Sequence, residues 1–224
     1  MKNSEAISFH NQSFKRVVLP SNINILLEEG ASIMSSTLTG GAYFEKYSTI
    51  NRCVVSGPVG FGAFSYVSET TVEPFGGIGA RSSVGAYEHP LNWLSTHHFQ
   101  WGQNVSEAFT EKVAAANFAL KKKNPPTKLG PDVWVGANSV VLAGVKMNVG
   151  SVLGAGAVLT RDTEAYGIYV GNPAKLIRKR FSDEITGQLI ESKWWLLPLE
   201  KLLTLEFTDI TSCLRKIREF QSSS

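Results

Sequence analysis

The chain of 224 residues is poor in three features that point to particular protein classes: cysteine, charge and long apolar runs. Its two cysteines, Cys53 and Cys213, lie far apart and fit neither a metal-binding motif nor a disulfide framework. Charged residues make up 18% of the chain, and a net charge of +3 is too small to indicate nucleic acid or an anionic membrane as a partner. No apolar run approaches a membrane span, and the first residues lack the apolar stretch of a signal peptide. We therefore expect a soluble cytoplasmic protein with no membrane span and no nucleic-acid partner.

What the chain does contain is a six-residue period between Asp132 and Thr160. Aliphatic residues recur at every sixth position: Val135, Val141, Met147, Leu153 and Leu159. The position two residues earlier is always small or apolar: Val133, Ser139, Val145, Ser151 and Ala157. A period of six fits neither an amphipathic helix nor a simple alternating strand. It predicts short strands joined by tight corners, with three strands closing each coil of a parallel β-helix.

A weaker form of the same period runs from Ile33 to Gly85. Here the inward positions are predicted to be Val54, Tyr66, Val72, Ile78 and Val84, with Gly60 as the single lapse. The segment is also rich in aromatic residues: Phe44, Tyr47, Phe61, Phe64, Tyr66 and Phe75. Two interpretations remain open, because these rings could pack against a neighbouring subunit or lie in the wall and corners of the coil.

The period breaks at Glu88, and the aliphatic pattern predicts that it resumes at Val133. The inserted segment contains a predicted helix over 105–122, which Asn124-Pro125-Pro126 ends. A loop this long leaving a compact solenoid is typical of a functional segment. The alternative is an arm that holds a trimer together, and both roles could hold.

Helices are predicted after the last coil. Ser182 is the expected N-cap of a first helix whose apolar face contains Ile185, Leu189 and Ile190. A final amphipathic helix is predicted over 209–220.

Several motifs in the chain resemble those of the hexapeptide-repeat acyltransferases. They are Asp132-Val-Trp-Val-Gly-Ala-Asn, Ala143-Gly-Val, Gly154-Ala-Gly-Ala-Val-Leu-Thr-Arg-Asp, Gly171-Asn-Pro-Ala-Lys and Glu88-His-Pro-Leu-Asn-Trp-Leu-Ser-Thr-His. Within that family they are similar to the xenobiotic acetyltransferase subgroup, which includes chloramphenicol, streptogramin and many sugar acetyltransferases. The resemblance implies a mainly β fold, a left-handed parallel β-helix over 1–180 with an inserted arm over 90–130. A C-terminal helical extension over 181–224 completes the expected organisation. It further implies a homotrimer that uses acetyl-CoA as co-substrate.

The resemblance also implies which residues carry the chemistry. His89 matches the catalytic histidine of the subgroup, and an imidazole can act as a neutral general base at physiological pH. Glu88, Trp93, His97 and His98 lie in the same loop and are candidates for binding the acceptor. The expected reaction is acetylation of a hydroxyl on a sugar or saccharide-like acceptor. The resemblance implies that the acetyl group is transferred directly, without an acyl-enzyme.

The resemblance further implies that residues of the later coils and of the segment after them bind the coenzyme. Lys175, Arg178, Lys179 and Arg180 form a cationic cluster suited to the phosphates of a nucleotide. Corner residues could hydrogen-bond the pantetheine arm through their backbone. The candidate residues for coenzyme binding are Gly136, Ala155, Gly156, Arg161, Asn172, Pro173, Lys175 and Arg178. Trp134 is expected either to line the coenzyme groove or to be buried in the coil wall.

Other functions on the same fold remain alternatives. The same chemistry could inactivate an antibiotic hydroxyl of the chloramphenicol or streptogramin type, or acetylate the nitrogen of an amino sugar. A zinc hydratase of the γ-carbonic anhydrase type needs two histidines five positions apart. The spacings of 8 and 1 after His89 do not supply that pair, so no metal is expected. A coil without catalysis is disfavoured by the His89 loop and by the motif that begins at Gly171.

Overall fold

Very short parallel strands wind into a β-solenoid of about seven turns. The computed structural model describes residues 13–15, 17–20, 23–86, 89, 91–97 and 125–222. In chain order, the strands are β1 (Ser13–Lys15), β2 (Ile25–Leu27), β3 (Ser32–Met34), β4 (Thr37–Leu38), β5 (Ala42–Phe44), β6 (Thr49–Asn51), β7 (Val54–Val55), β8 (Val59–Phe61), β9 (Tyr66–Ser68), β10 (Thr70–Val72), β11 (Gly77–Ile78), β12 (Ser83–Ala86), β13 (Thr127–Leu129), β14 (Trp134–Val135), β15 (Val140–Leu142), β16 (Lys146–Met147), β17 (Val152–Leu153), β18 (Val158–Leu159), β19 (Gly167–Val170) and β20 (Lys175–Lys179).

The strands stack into three sheets, which are the three sides of the coil. Sheet A has the order β1-β3-β6-β9-β12-β15-β18, and sheet B has the order β16-β13-β10-β7-β4. Sheet C has the order β2-β5-β8-β11-β14-β17-β19-β20, and all its pairs are parallel except the last, because β20 folds back on β19. Successive strands of one sheet therefore come from successive coils, as the six-residue period predicts.

From β3 to β18, each strand whose burial is described places a large apolar side chain in the coil interior. Between Asp132 and Thr160 the prediction is confirmed at every position, since all five aliphatic residues and all five small residues before them are buried. Inside the coil, side chains of consecutive turns stack directly on one another. For example, the rings of Phe44 and Phe61 lie 4.5 Å apart and nearly parallel. These two rings therefore lie in the coil interior, which neither of the two interpretations predicted for them.

The inward register predicted for the early coils is wrong at Val54, Gly60 and Tyr66. Val54 is 47% exposed, and the inward residues are its neighbour Val55 and, further on, Phe61 and Val67. The reason is that these coils contain 17 residues, as the pairing of Ser32 with Thr49 and Thr49 with Tyr66 shows. One corner, between sheets A and B, is a residue shorter than the others. Val72, Ile78 and Val84 are buried as predicted.

The shorter corner contains Ser35, Arg52 and Glu69, each with a positive φ between 48° and 53°. In a later coil the same corner contains Gly144, and the pairing of Val140 with Val158 shows the longer repeat of 18 residues. The inserted arm leaves the coil at this corner too, after β12, and the coil resumes at Thr127 rather than at Val133. The predicted helix over 105–122 lies outside the described residues.

The C-terminal helices pack on one corner of the coil. They are α1 (Asp183–Ser192), a short 3₁₀ turn (Trp194–Leu196), α2 (Leu199–Leu202) and α3 (Ile210–Ser222). Ser182 caps α1 as predicted, since its hydroxyl accepts a hydrogen bond from the Ile185 N–H. Leu189 is buried on the coil, whereas Ile190 is 41% exposed, so the predicted apolar face is wrong at that residue.

Arg180 attaches this helical extension to the coil. Its guanidinium bonds the Asp132 carboxylate at 2.7 Å and the Gly150 carbonyl at 2.9 Å. It also lies over the rings of Tyr166 and Phe181, at 5.3 and 5.4 Å from their centroids. Burial raises the pKa of the Asp132 carboxyl, and the Arg180 cation opposes that rise.

Candidate active site

His89 lies where the chain leaves the coil after β12, and its ring is exposed. Its Nδ1 is 2.5 Å from the Thr96 carbonyl oxygen, seven residues further along the loop. A carbonyl oxygen can only accept a hydrogen bond, so Nδ1 carries the proton. In the neutral ring, Nε2 then has an unprotonated lone pair. The loop therefore fixes the tautomer of an exposed imidazole that can accept a proton at Nε2.

The acceptor-side residues are only partly described. His97 is exposed, and its backbone N–H bonds the Ser95 hydroxyl at 3.0 Å. Trp93 is half-buried in the same loop. Glu88 and His98 lie outside the described residues, so their roles stay predictions. In sequence, Trp93 and His97 follow His89 by four and eight residues.

Lys175 and Arg178 lie on β20, the strand that folds back on β19. Lys175 pairs with Val170, and Arg178 pairs with Ile168. Between these two pairs β20 contains a β-bulge, in which Ile177 has no paired residue on β19. Val170 and Ile168 both point away from the coil interior, since the residue between them, Tyr169, is buried. Directly paired residues share a face, so this bulge places both cations on the outer face of sheet C. A regular strand would have placed them on opposite faces.

The other two cations of the predicted cluster bind carboxylates of the chain itself. The Lys179 ammonium is 2.7 Å from Asp183 and 3.4 Å from Glu164, while Arg180 binds Asp132. The cluster therefore divides into a structural pair and an outward-facing pair. Asn172 and Pro173 form the exposed turn between β19 and β20, and Arg161 is exposed after β18.

The predicted corner residues lie on the edge between sheets C and A. Gly136 uses both its polar backbone groups within the coil: its N–H bonds the Leu153 carbonyl, and its carbonyl accepts from the Ser82 hydroxyl. A Cβ at Gly136 would lie 2.5 Å from the Ala155 nitrogen, so glycine there allows the next coil to stack. The Gly156 N–H bonds the Ala137 carbonyl. Ala155 and Gly156 are exposed at this corner.

His89 and this corner lie at opposite edges of sheet A. The corner precedes β15 and β18, whereas His89 follows β12. Strand geometry places the end of β12, which leads to His89, about 10 Å along the strands and about 10 Å across two strand spacings from the start of β18. We therefore expect the histidine and the Ala155 corner of one subunit to lie apart.

A cleft of about 470 Å³ opens on the outer face of sheet C, where the coil meets the C-terminal extension. Trp134 lines it and is 58% exposed, so this ring is not buried in the coil wall. Sequence reasoning missed this cleft, because the contact between Asp132 and Arg180 at its edge joins residues 48 positions apart. Within the described residues, no cluster of three or more histidine, cysteine or acidic side chains is arranged to hold a metal ion. None of the helices described here has the length and apolar character needed to cross a membrane.

No family model matches the chain. Its sequence is 35% identical over 139 residues to a chloramphenicol acetyltransferase from Escherichia coli, covering 61% of this chain and 63% of that protein. It is 40% identical over 119 residues to a chloramphenicol acetyltransferase from Agrobacterium fabrum, covering 53% and 54% respectively. A probable macrolide acetyltransferase from Lysinibacillus sphaericus is 34% identical over 117 residues, covering 52% and 62%. The matches thus span less than two thirds of these relatives.

Among solved structures, a mutant of the N-acyltransferase AntD from Bacillus cereus, in complex with dTDP and coenzyme A, superposes with a TM-score of 0.56. The match covers 76% of this chain and 89% of AntD at 17% identity, which establishes a shared fold. The resemblance seen in the motifs is confirmed, since the curated relatives are acetyltransferases and this chain forms a parallel β-solenoid.

Proposed function

We propose that this chain is an acetyl-CoA-dependent O-acetyltransferase that transfers the acetyl group directly, with His89 as the general base. The observation that carries the proposal is the hydrogen bond from His89 Nδ1 to the Thr96 carbonyl, which leaves Nε2 able to take a proton. The acetyltransferase relatives support the reaction class.

In the proposed reaction, His89 Nε2 accepts the proton of the acceptor hydroxyl while its oxygen attacks the thioester carbonyl. The tetrahedral intermediate then collapses, and the C–S bond breaks. The departing coenzyme A thiolate takes the proton back from Nε2, so the enzyme returns to its starting state. The Thr96 carbonyl holds the ring throughout and stabilises the imidazolium that forms between the two transfers.

Coenzyme A is proposed to bind along the outer edge of the later coils. Lys175 and Arg178 share one outer face and would bind its phosphates. Arg161, Asn172 and Pro173 are exposed on the neighbouring turns, and the Ala155–Gly156 corner would contact the pantetheine arm. Gly136 is assigned the role of spacer in this corner, because both of its backbone groups already bond within the coil.

The active site is proposed to lie between subunits of a homotrimer. The expected separation of His89 from the Ala155 corner within one chain supports this, because a threefold ring brings the edge of one coil to the opposite edge of the next. Mixing two defective variants tests it. Subunits carrying His89→Ala and subunits carrying Lys175→Ala with Arg178→Ala, unfolded and refolded together, should regain about a quarter of wild-type activity at low acetyl-CoA, since each site combines two independent subunits. If each site lies within one chain, the mixture gains nothing over its components.

Two acceptor classes compete. Our sequence prediction is a sugar or saccharide-like hydroxyl, whereas the names of the relatives favour the hydroxyl of chloramphenicol or a macrolide. A screen that measures free thiol released from acetyl-CoA, with chloramphenicol, macrolides, amino sugars and neutral sugars as acceptors, distinguishes them. If none of these acceptors increases the release of free thiol from acetyl-CoA, the proposal is contradicted.

A further inference from the structure

Strand β12 contains one residue more than its neighbour β15 can pair. Val84 pairs with Val141, and two residues further on Ala86 pairs with the very next residue of β15, Leu142. Gly85 lies between them and has no paired residue on β15. Its φ of +68° is a left-handed conformation that favours glycine. Gly85 is therefore a β-bulge, a feature that bends a strand and is common beside active sites.

The bulge moves the left-handed residue to an earlier place in the corner between sheets A and B. In the three preceding coils this residue comes two positions after the inward-facing residue: Ser35 after Ile33, Arg52 after Ile50, and Glu69 after Val67. Each of those coils then continues directly onto sheet B. Gly85 comes only one position after the inward-facing Val84, and here the chain leaves the coil. The early left-handed residue therefore accounts for the departure of the arm at this corner.

Three buried residues surround Gly85 and leave no room for a side chain. A Cβ at this position would lie 2.2 Å from the Ser68 carbonyl oxygen, 2.6 Å from the Thr70 hydroxyl and 3.1 Å from the Thr127 hydroxyl. The Thr70 hydroxyl donates to the Ser68 carbonyl at 2.7 Å. The Thr127 hydroxyl accepts from the Gly144 N–H at 2.9 Å. Because Thr127 begins the strand on which the coil resumes, the exit and the return of the arm are packed against each other.

The position of the bulge limits where His89 can lie. His89 follows Ala86, the last residue of β12, by three residues. Three residues span at most about 11 Å even when fully extended, so the direction in which the strand ends decides what the ring can reach. The bond from His89 to the Thr96 carbonyl lies within the loop. That bond sets the tautomer but does not attach the loop to the coil, whereas the bulge does.

We propose that Gly85 is a positioning residue for the transfer reaction, and that its bulge places the His89 ring where it meets the acceptor. The proposal rests on the role of His89 as the general base, because Gly85 is buried and acts only through His89. The Cβ of an alanine would lie 2.2 Å from the Ser68 oxygen, whereas such contacts are essentially never below 3.0 Å, so the backbone has to move by about 0.8 Å. A misplacement of about 1 Å can lower the rate about a hundredfold.

Gly85→Ala tests the proposal in a transfer assay with the acceptor that releases thiol fastest in the screen. Turnover should fall about ten- to a hundredfold. The KM for acetyl-CoA should stay within about twofold of wild type, because Lys175 and Arg178 lie on sheet C and not at this corner. Gly150→Ala is the matched control, because Gly150 has the same φ of +68° and a Cβ there would lie 2.4 Å from the Tyr166 ring. Both variants should melt at a lower temperature than wild type, but Gly150→Ala should keep wild-type turnover at temperatures where it is folded.

Deletion of Gly85 is a second variant, which keeps the test decisive if Gly85→Ala does not fold. The deletion removes the unpaired residue, so β12 can pair regularly with β15 without a left-handed residue. It also brings His89 one residue closer to the coil and turns the chain that leads to it. The variant should stay folded, which circular dichroism checks, and its turnover should fall at least about tenfold.

A double variant shows whether Gly85 acts through His89. In a His89→Ala background, Gly85→Ala should cause no further loss of turnover, because the base that it positions is already absent. An equal loss in both backgrounds, an equal loss in Gly150→Ala, or normal turnover in folded Gly85→Ala or in the folded deletion variant would overturn the proposal. Normal turnover in His89→Ala alone would overturn the proposed base and this inference with it. Low turnover in His89→Ala with normal turnover in Gly85→Ala would overturn this inference only.

Discussion

Removing Lys175 and Arg178 together should weaken coenzyme A binding selectively. The bulge in β20 puts both cations on one face, where each can form a charge-assisted contact with a phosphate. Losing such a contact costs about 1.5–3 kcal/mol. Both positions are exposed, so we take the cost of a single such contact for the pair together and expect Lys175→Ala with Arg178→Ala to raise the Kd about ten- to a hundredfold. Calorimetric titration of coenzyme A at 0.1 M salt measures this.

A matched variant separates a local contact from a general effect of charge. Lys46→Ala with Lys179→Ala removes the same charge, but these ammonium groups are paired with Glu29 and with Asp183 and Glu164. Its Kd should stay within about twofold of wild type, because long-range attraction between exposed charges is screened by salt. Coenzyme A without its 3′-phosphate should lose less affinity in the double variant. Equal losses in both double variants, or no loss in either, would refute the assignment of these cations to the coenzyme.

Two further predictions concern stability. Arg180→Met should destabilise the fold by about 2–4 kcal/mol, because it leaves the half-buried Asp132 carboxylate unpaired and removes two aromatic contacts. Adding Asp132→Asn should restore part of this loss, and urea midpoints measure both variants. An unchanged midpoint in Arg180→Met would contradict the role of Arg180 in attaching the helical extension. Burial raises the pKa of the Cys53 thiol to about 11, so in a Cys213→Ala background it should resist thiol reagents at pH 8 while folded. Rapid labelling of Cys53 in the folded protein would contradict this resistance. Because the pKa of the thiol is raised, its contribution to stability is present below the unfolded pKa of about 8.5 and is lost as the pH rises towards 11. The Cys53→Ala variant should not show this loss of stability.

The later coils could be predicted from the sequence because their geometry leaves little choice. A coil interior takes one aliphatic side chain per strand, so Val135, Met147 and Leu159 identify both the fold and the register. The early coils could not be predicted in the same way. Val54 and Val55 are both apolar, and a fixed period of six selects the wrong one once a corner is a residue shorter.

The candidate site divides along similar lines. The resemblance of motifs predicts His89 as the base, but its tautomer depends on a bond to Thr96 that only the loop conformation creates. Composition identified four neighbouring cations. It could not separate Arg180, whose carboxylate partner lies 48 residues away, from Arg178, whose face depends on a bulge. Long-range contacts and strand irregularities leave no short-range pattern in the sequence, and these decide what each cation does.

The most direct test of the proposed mechanism is the turnover of His89→Ala with the best acceptor from the screen. Coenzyme A affinity is measured for the same variant, and His97→Ala is the control in the same loop. A positioned general base contributes about 10²–10⁴ in rate, so turnover should fall by that factor. Coenzyme A affinity should stay within about twofold of wild type, because His89 is assigned to the acceptor proton and Lys175 and Arg178 to the phosphates. His97→Ala should mainly raise the KM for the acceptor. A folded His89→Ala protein that keeps near-normal turnover, while His97→Ala abolishes it, would contradict the assignment of His89 as the base.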